Sequence, residues 1–272
     1  MQFALVNNER SVAATGLNGT CPACGQPMIA KCGNLRVHHW AHRGTRSCDS
    51  WWEPETEWHR TWKNRFPSQQ QENVRFDEHG EKHIADVVTE HGLTIEFQHS
   101  HLSPKERAAR EAFYKNMIWV VDGTRLKSDL PRFLQGFQSF REILQRGLYL
   151  VPFPDEAFPR TWLDCSSPVF FDFGNASGLT EVAIFASHAL WCLLPVRISG
   201  RAVVLRVGRP SFERWMQATA HPVATRAIAE HVAAALRVEQ QRQRQINRLR
   251  ESQLGQPGWQ KRRKFRRAFP RF

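Results

Sequence analysis

The chain has 272 residues, 41 % of them hydrophobic, and a formal net charge of +12. That length suits one large domain or two ordinary ones with a real core. The longest apolar run, 183–196, is broken by Ser187 and His188 and is too short to span a bilayer. The first residues carry no charged-then-apolar signal. Six cysteines without such a signal read as reduced thiols rather than a disulfide framework, so the expected location is cytoplasmic.

Phe3–Val6 and Val12–Ala14 flank a polar turn and read as a short β-hairpin. Cys21-Pro22-Ala23-Cys24 follows, then His39-Trp40-Ala41-His42. Two thiolates on a tight knuckle and two imidazoles one helical turn apart make a tetrahedral Zn²⁺ site from Cys21, Cys24, His39 and His42, with a structural role. His38, Cys32 and Cys48 are alternatives for the fourth ligand. Lys31, Arg36, Arg43 and Arg46 surround the site and suit a nucleic-acid contact.

Trp51-Trp52-Glu53-Pro54 reads as a junction. Glu55 to Phe66 reads as a helix whose Trp58, Thr61, Trp62 and Phe66 share one stripe, and Pro67 stops it. His59 and Lys63 lie one turn apart and could face a phosphate. Val74–Phe76 reads as a strand. Residues 84–89 and 93–97 are two further apolar strands separated by Glu90-His91-Gly92, a turn signal. Alternation places Glu96 and Gln98 on one face and Ile95 and Phe97 on the other. Pairing of the two strands brings Asp86 near Glu96, and converging carboxylates suit Mg²⁺ or Mn²⁺. The plainer alternative is a half-exposed hairpin whose acids face water. Ser103-Pro104 then caps a helix to about Asn116, with Lys105, Arg107 and Arg110 suited to a DNA backbone. Met117–Val121 is a fully apolar, hence central, strand.

Cys21-x2-Cys24, His39-Trp40-Ala41-His42, residues 55–63, His83-Ile84-Ala85-Asp86 through Ile95-Glu96-Phe97-Gln98-His99-Ser100, and Tyr114 through Asp122 occur in one order. In that order the first 125 or so residues resemble the competence protein CoiA-like nuclease family of the PD-(D/E)XK nuclease superfamily. The resemblance implies an α/β, restriction-endonuclease-like three-layer core and a metal-dependent DNA endonuclease in competence, DNA processing or defence. It implies Asp86, Glu96 and Gln98 as catalytic residues, Mg²⁺ or Mn²⁺ on Asp86 and Glu96, and Glu57 as a further acid. Gln98 stands where the superfamily usually has Lys. A Gln orients water and donates a hydrogen bond without bringing charge, so the alternative is a non-catalytic DNA-binding protein on a degenerate nuclease fold.

Leu130 to Leu144 reads as an amphipathic helix, and the short apolar runs between 148 and 209 as a small β-rich module beside the nuclease. A long helix from about Val223 to Arg250 turns basic, and Lys261, Arg262, Arg263 and Lys264 begin a polycationic end. Residues 237–272 hold twelve Arg or Lys and two Glu, a net +10, which points to DNA as partner. The expected organisation is a zinc module over 1–50, a nuclease-like domain over 51–147, a β-rich module over 148–220, and a basic helix and tail over 221–272.

Overall fold

The computed structural model describes residues 1–44, 48–144, 147–174 and 185–254. Strands β1 (Phe3–Val6) and β2 (Glu9–Val12) form the first hairpin. Its two-residue turn, Asn7-Asn8, has φ of 51° and 67°, the left-handed pair that matches strand twist and that Asn tolerates. The second arm thus begins and ends earlier than the hydrophobic pattern suggested. β3 (Asn18–Thr20), β4 (Pro27–Lys31) and β5 (His39–His42) complete an antiparallel sheet ordered β2-β1-β3-β4-β5. Met1, Ala4, Met28 and Trp40 form its core with Cys21 and Cys48. Gly19 permits the close packing: a Cβ there would meet the Leu5 carbonyl oxygen at 2.8 Å.

Next come α1 (Glu57–Lys63), β6 (Gln71–Phe76), β7 (Lys82–Val88), β8 (Thr94–Gln98), α2 (Pro104–Tyr114) and β9 (Met117–Asp122). This is the α–β–β–β–α–β order expected from the sequence. The Thr56 and Ser103 hydroxyls cap the two helices by accepting from the His59 and Glu106 N–H groups. The chain continues through α3 (Asp129–Phe137), β10 (Arg141–Glu142), β11 (Leu148–Val151), α4 (Pro154–Ala157), β12 (Val169–Asp172), β13 (Ala189–Ile198), β14 (Arg201–Gly208) and α5 (Arg209–Ala218).

All these strands join one nine-stranded sheet, ordered β10-β11-β14-β13-β12-β9-β8-β7-β6. β8, β9 and β12 run parallel, and the other pairings are antiparallel. The sheet crosses the boundary expected at 147/148, so residues 148–208 extend the central sheet instead of forming a separate module. The physical reason lies in β9. Its residues 117–122 are all buried, and β8 covers only one of its edges. β12 supplies the other, with Val169 opposite Trp119.

The sheet has helices on both faces. On one, Trp62 of α1 stacks on Phe97 at 5.8 Å between ring centroids, and Phe212 of α5 meets both Trp62 and Phe170. On the other, Phe133 of α3 packs against Phe158, Phe173 and Trp191. The result is a mixed α/β fold of three layers. Met1–Thr225 form one compact unit. A second begins at Arg226 and consists, in its described part, of α6 (Thr225–Leu254) beyond its first residue. Lys261–Lys264 lie outside the described residues. No described helix is long and apolar enough to cross a membrane.

Candidate metal centre and active site

The knuckle at Cys21 folds as its sequence suggests. Gly25, at φ 70°, donates its N–H to the Cys21 carbonyl at 2.8 Å, and Cys21 N–H returns to the Gln26 carbonyl at 2.9 Å. This turns both thiols inward. Cys21, Cys24, His42 and Cys48 present ligand atoms that all lie within 4.8 Å of one another. Cys24 Sγ is 3.3 Å from His42 Nε2, and Cys21 Sγ is 4.0 Å from Cys48 Sγ. Three sulfurs and one imidazole suit a closed tetrahedral Zn²⁺ site. Burial, then the Cys21 and Cys24 sulfurs, push the Cys48 thiol up to about 12. Burial raises the Cys21 thiol as well, so these two sulfurs hold their protons more tightly than free thiols do.

His39 is not part of the cluster. Both histidines sit on β5, not on a helix, and residues three apart on a strand point to opposite faces. His39 Nδ1 instead donates to the Val37 carbonyl at 2.9 Å. Cys48, one of the alternatives held open, is instead the fourth member of the cluster, and it is buried.

The acids on β7 and β8 do converge. Backbone pairing of these strands covers Val88↔Thr94 and Val87↔Ile95. One step further, the carboxylates take over: Asp86 N–H donates to Glu96 Oε1 at 3.2 Å, and Phe97 N–H donates to Asp86 Oδ2 at 2.9 Å. Each acid thus closes the splayed end of the hairpin through the other strand's backbone. Asp86 Oδ1 lies 2.9 Å from His59 Nε2, and Glu96 Oε2 lies 3.4 Å from Arg110. Burial would raise the Asp86 carboxyl, but His59, with Lys63 and the Phe97 N–H, holds it below the usual carboxylate range. Burial and then the Asp86 charge push Glu96 up to about 8, against the opposing pull of Arg110. Two oxygens that crowd each other in this way leave a place for a cation, and hard carboxylate donors suit a divalent one.

Gln98 completes the same small cavity. Its Nε2 donates to both Glu53 carboxylate oxygens, at 2.8 and 3.0 Å, and lies 3.2 Å from the Ser100 carbonyl and hydroxyl oxygens. A carboxylate only accepts, so the amide nitrogen is committed and the carbonyl oxygen is the end left to offer. Glu53 was unmarked in the sequence, where its stretch read as a junction. Arg110 donates to the Trp51 carbonyl at 2.9 Å and so ties that stretch to α2.

Other expected site residues are elsewhere. Glu57 is exposed at the start of α1 and lines a separate groove with residues 33–38. It stands two positions from His59, and such residues lie on opposite sides of a helix. Lys63 does share the inward face with His59, but it is buried between Glu55 at 2.8 Å and Glu72 at 2.7 Å. It is no surface phosphate contact. Arg107 is buried as well, donating to the Thr161 carbonyl at 2.7 Å. It lies on the face of α2 that also buries Arg110 and Glu111. Lys105 is exposed.

The fold and its clusters define a mixed α/β protein with an N-terminal Cys3His cluster that could hold a metal and a converging pair of acids, Glu96 buried and Asp86 half-buried. Residues 12–50, which contain that cluster from the knuckle to Cys48, match the family model of the competence protein CoiA, N-terminal domain. The match supports a CoiA-like assignment for the chain. No curated protein and no solved structure matches it.

Proposed function

We propose that this chain is a metal-dependent nuclease that hydrolyses DNA phosphodiester bonds on a core of the PD-(D/E)XK kind. The observation that carries the proposal is the exchange of backbone N–H groups between Asp86 and Glu96 across the splayed β7–β8 end. It holds two carboxylates together in one cavity, where His59 and Arg110 each offset part of their charge. Asp86, Glu96 and the carbonyl oxygen of Gln98 would hold Mg²⁺ or Mn²⁺. Such an ion, when bound, polarises the scissile phosphate and makes a bound water acidic enough to attack it.

The chain's own residues set the conditions for that chemistry. His59 keeps Asp86 ionised, Arg110 anchors Glu96, and Glu53 turns the Gln98 amide. Among the described residues that line the site, the lysine is Lys63, and it is saturated by Glu55 and Glu72. That same charge balance favours a second reading, a DNA-binding protein on a degenerate nuclease fold.

The test compares purified wild type with Asp86→Ala and Glu96→Ala on plasmid and single-stranded DNA, with Mg²⁺, Mn²⁺ or EDTA. The expected outcome is cleavage that EDTA abolishes. Each substitution should lower it by more than about 100-fold, the upper end for loss of a merely supporting partner. Equal cleavage by Asp86→Ala removes the assigned site. No metal-dependent cleavage by wild type selects the second reading.

A further inference from the structure

A second cavity, of about 210 Å³, opens beside the acid pair. It lies at the carboxyl ends of the three parallel strands: Gln98 ends β8, Val121 and Asp122 end β9, and Phe171 and Asp172 end β12, with Phe171 and Phe173, the first residue after β12, on the cavity wall. Crevices outside the carboxyl ends of parallel strands are where open α/β sheets bind ligands, because the loops diverge there. Gln98 lines this cavity and the acid cavity alike. A group bound in one is therefore next to a group bound in the other.

The lining has two characters. Trp162, Phe171 and Phe173 contribute aromatic walls, and Arg125 and Arg132 contribute cations. The acids on the same lining are already engaged. Asp122 accepts from His99 at 2.7 Å and from the Thr124 N–H at 2.8 Å. Asp129 lies 3.7 Å from Arg132 and accepts from the Leu126 N–H. Arg125, Leu126 and His101 are exposed. An apolar cavity of about 150 Å³ takes a benzene ring, so this one has room for a planar base. Aromatic side chains with guanidinium groups beside them fit a base and its phosphate, the combination that extruded nucleotides meet in base-binding pockets.

We propose that this cavity is a nucleotide subsite. It takes one unstacked base of the DNA strand whose neighbouring phosphate lies at Asp86 and Glu96, with Arg125 and Arg132 on the phosphate side. The subsite rests on the nuclease reading for its neighbour but not for its own test.

The test uses the full chain and an oligothymidylate carrying one 5-iodouracil, irradiated in EDTA so that nothing is cut. The expected adduct maps to Trp162, Phe171 or Phe173. Arg125→Glu and, separately, Leu126→Glu reverse or add charge at exposed positions and should lower its yield about tenfold, the scale of one base–aromatic contact. Affinity measured by fluorescence anisotropy should change much less. Adducts confined to other residues, no adduct at all, or a yield that neither substitution alters would overturn the subsite. Absence of metal-dependent cleavage with the adduct present would reject only the nuclease reading.

Discussion

The amide of Gln98 faces a carboxylate, and this decides what the side chain can offer. From the sequence, Gln98 looked like a donor that orients water. In the structure its nitrogen is committed to Glu53 and Ser100, so it offers an acceptor. A lysine at this position would meet Glu53 and spend its charge there. Gln98→Lys should therefore not exceed wild-type cleavage, while Glu53→Gln should lower it about 10- to 100-fold, as loss of a supporting partner does. The double variant should recover part of that loss, because the lysine is then free. Steady-state kcat/KM for the four proteins checks this, and a Gln98→Lys protein faster than wild type would contradict it. The metal centre gives a second residue-scale prediction. Metal analysis should find about one Zn²⁺ per chain; His39→Ala should keep it and Cys48→Ser should lose it. Loss of a structural zinc site removes on the order of 10 kcal/mol of binding energy from such modules. Metal retained by Cys48→Ser would return the fourth ligand to the other candidates. Cys21, Cys24 and His42 were legible in the sequence because local spacing carried them. Cys48 was only one of several options, since it stands outside both closely spaced pairs of the sequence. Glu53 left no signal, because an acid outside regular structure has no period to reveal the direction it faces.

Among the elements, β6 has a feature that joins the two sheets. Glu72 lies within this strand with φ of 47°, a left-handed conformation that a non-glycine residue rarely adopts. Its carboxylate accepts from the Gln2 and Phe3 N–H groups of the first sheet at 2.6 and 3.0 Å, and from Lys63 of α1 at 2.7 Å. A strained residue at about 1–3 kcal/mol persists only where its surroundings over-determine it, and three charge-assisted or buried contacts do so here. Burial would raise the Glu72 carboxyl, but Lys63 and the chain's amino terminus hold it below its ordinary 4.5. A depressed carboxyl contributes stability that is present above pH 4.5 and lost as pH falls through the folded value. Glu72→Gln should destabilise the protein at pH 7 by about 3 kcal/mol, because Lys63 then keeps only Glu55. The difference from wild type should shrink as pH falls below 4.5. Urea unfolding at several pH values reads both, and a difference independent of pH would show that Glu72 acts through packing alone. This joint was not legible: Gln71-Glu72-Asn73 is a polar run, and the sequence supported a strand only from Val74. The hairpin β7–β8 and the strand β9 were legible because alternation and an unbroken apolar run carry them. The partner of the far edge of β9 was not, since nothing local to Val169–Phe171 says that it pairs in parallel with a strand some fifty residues earlier.

At the scale of the whole molecule, charge and fold are separated. The positive charge concentrates beyond residue 236, with a net +10 over residues 237–272 and only +2 before them. Met1–Thr225, by contrast, hold both sheets and the hydrophobic cores between and around them. A chain ending at Thr225 should therefore fold, keep its metal and retain the acid site, while losing its strongest attraction for polyanions. Non-specific DNA binding is dominated by counterion release, so each lost duplex phosphate contact should flatten the plot of log affinity against log salt by about 0.9. Binding titrations of full-length and shortened protein between low and moderate salt measure the slopes directly. Cleavage by the shortened protein at low salt and saturating DNA should stay close to wild type, since Asp86, Glu96 and Gln98 are untouched, and should fall away first as salt is raised. An unchanged slope would assign DNA contact to the first unit, where Lys105 of α2 and the basic residues around the metal module become the next positions to substitute.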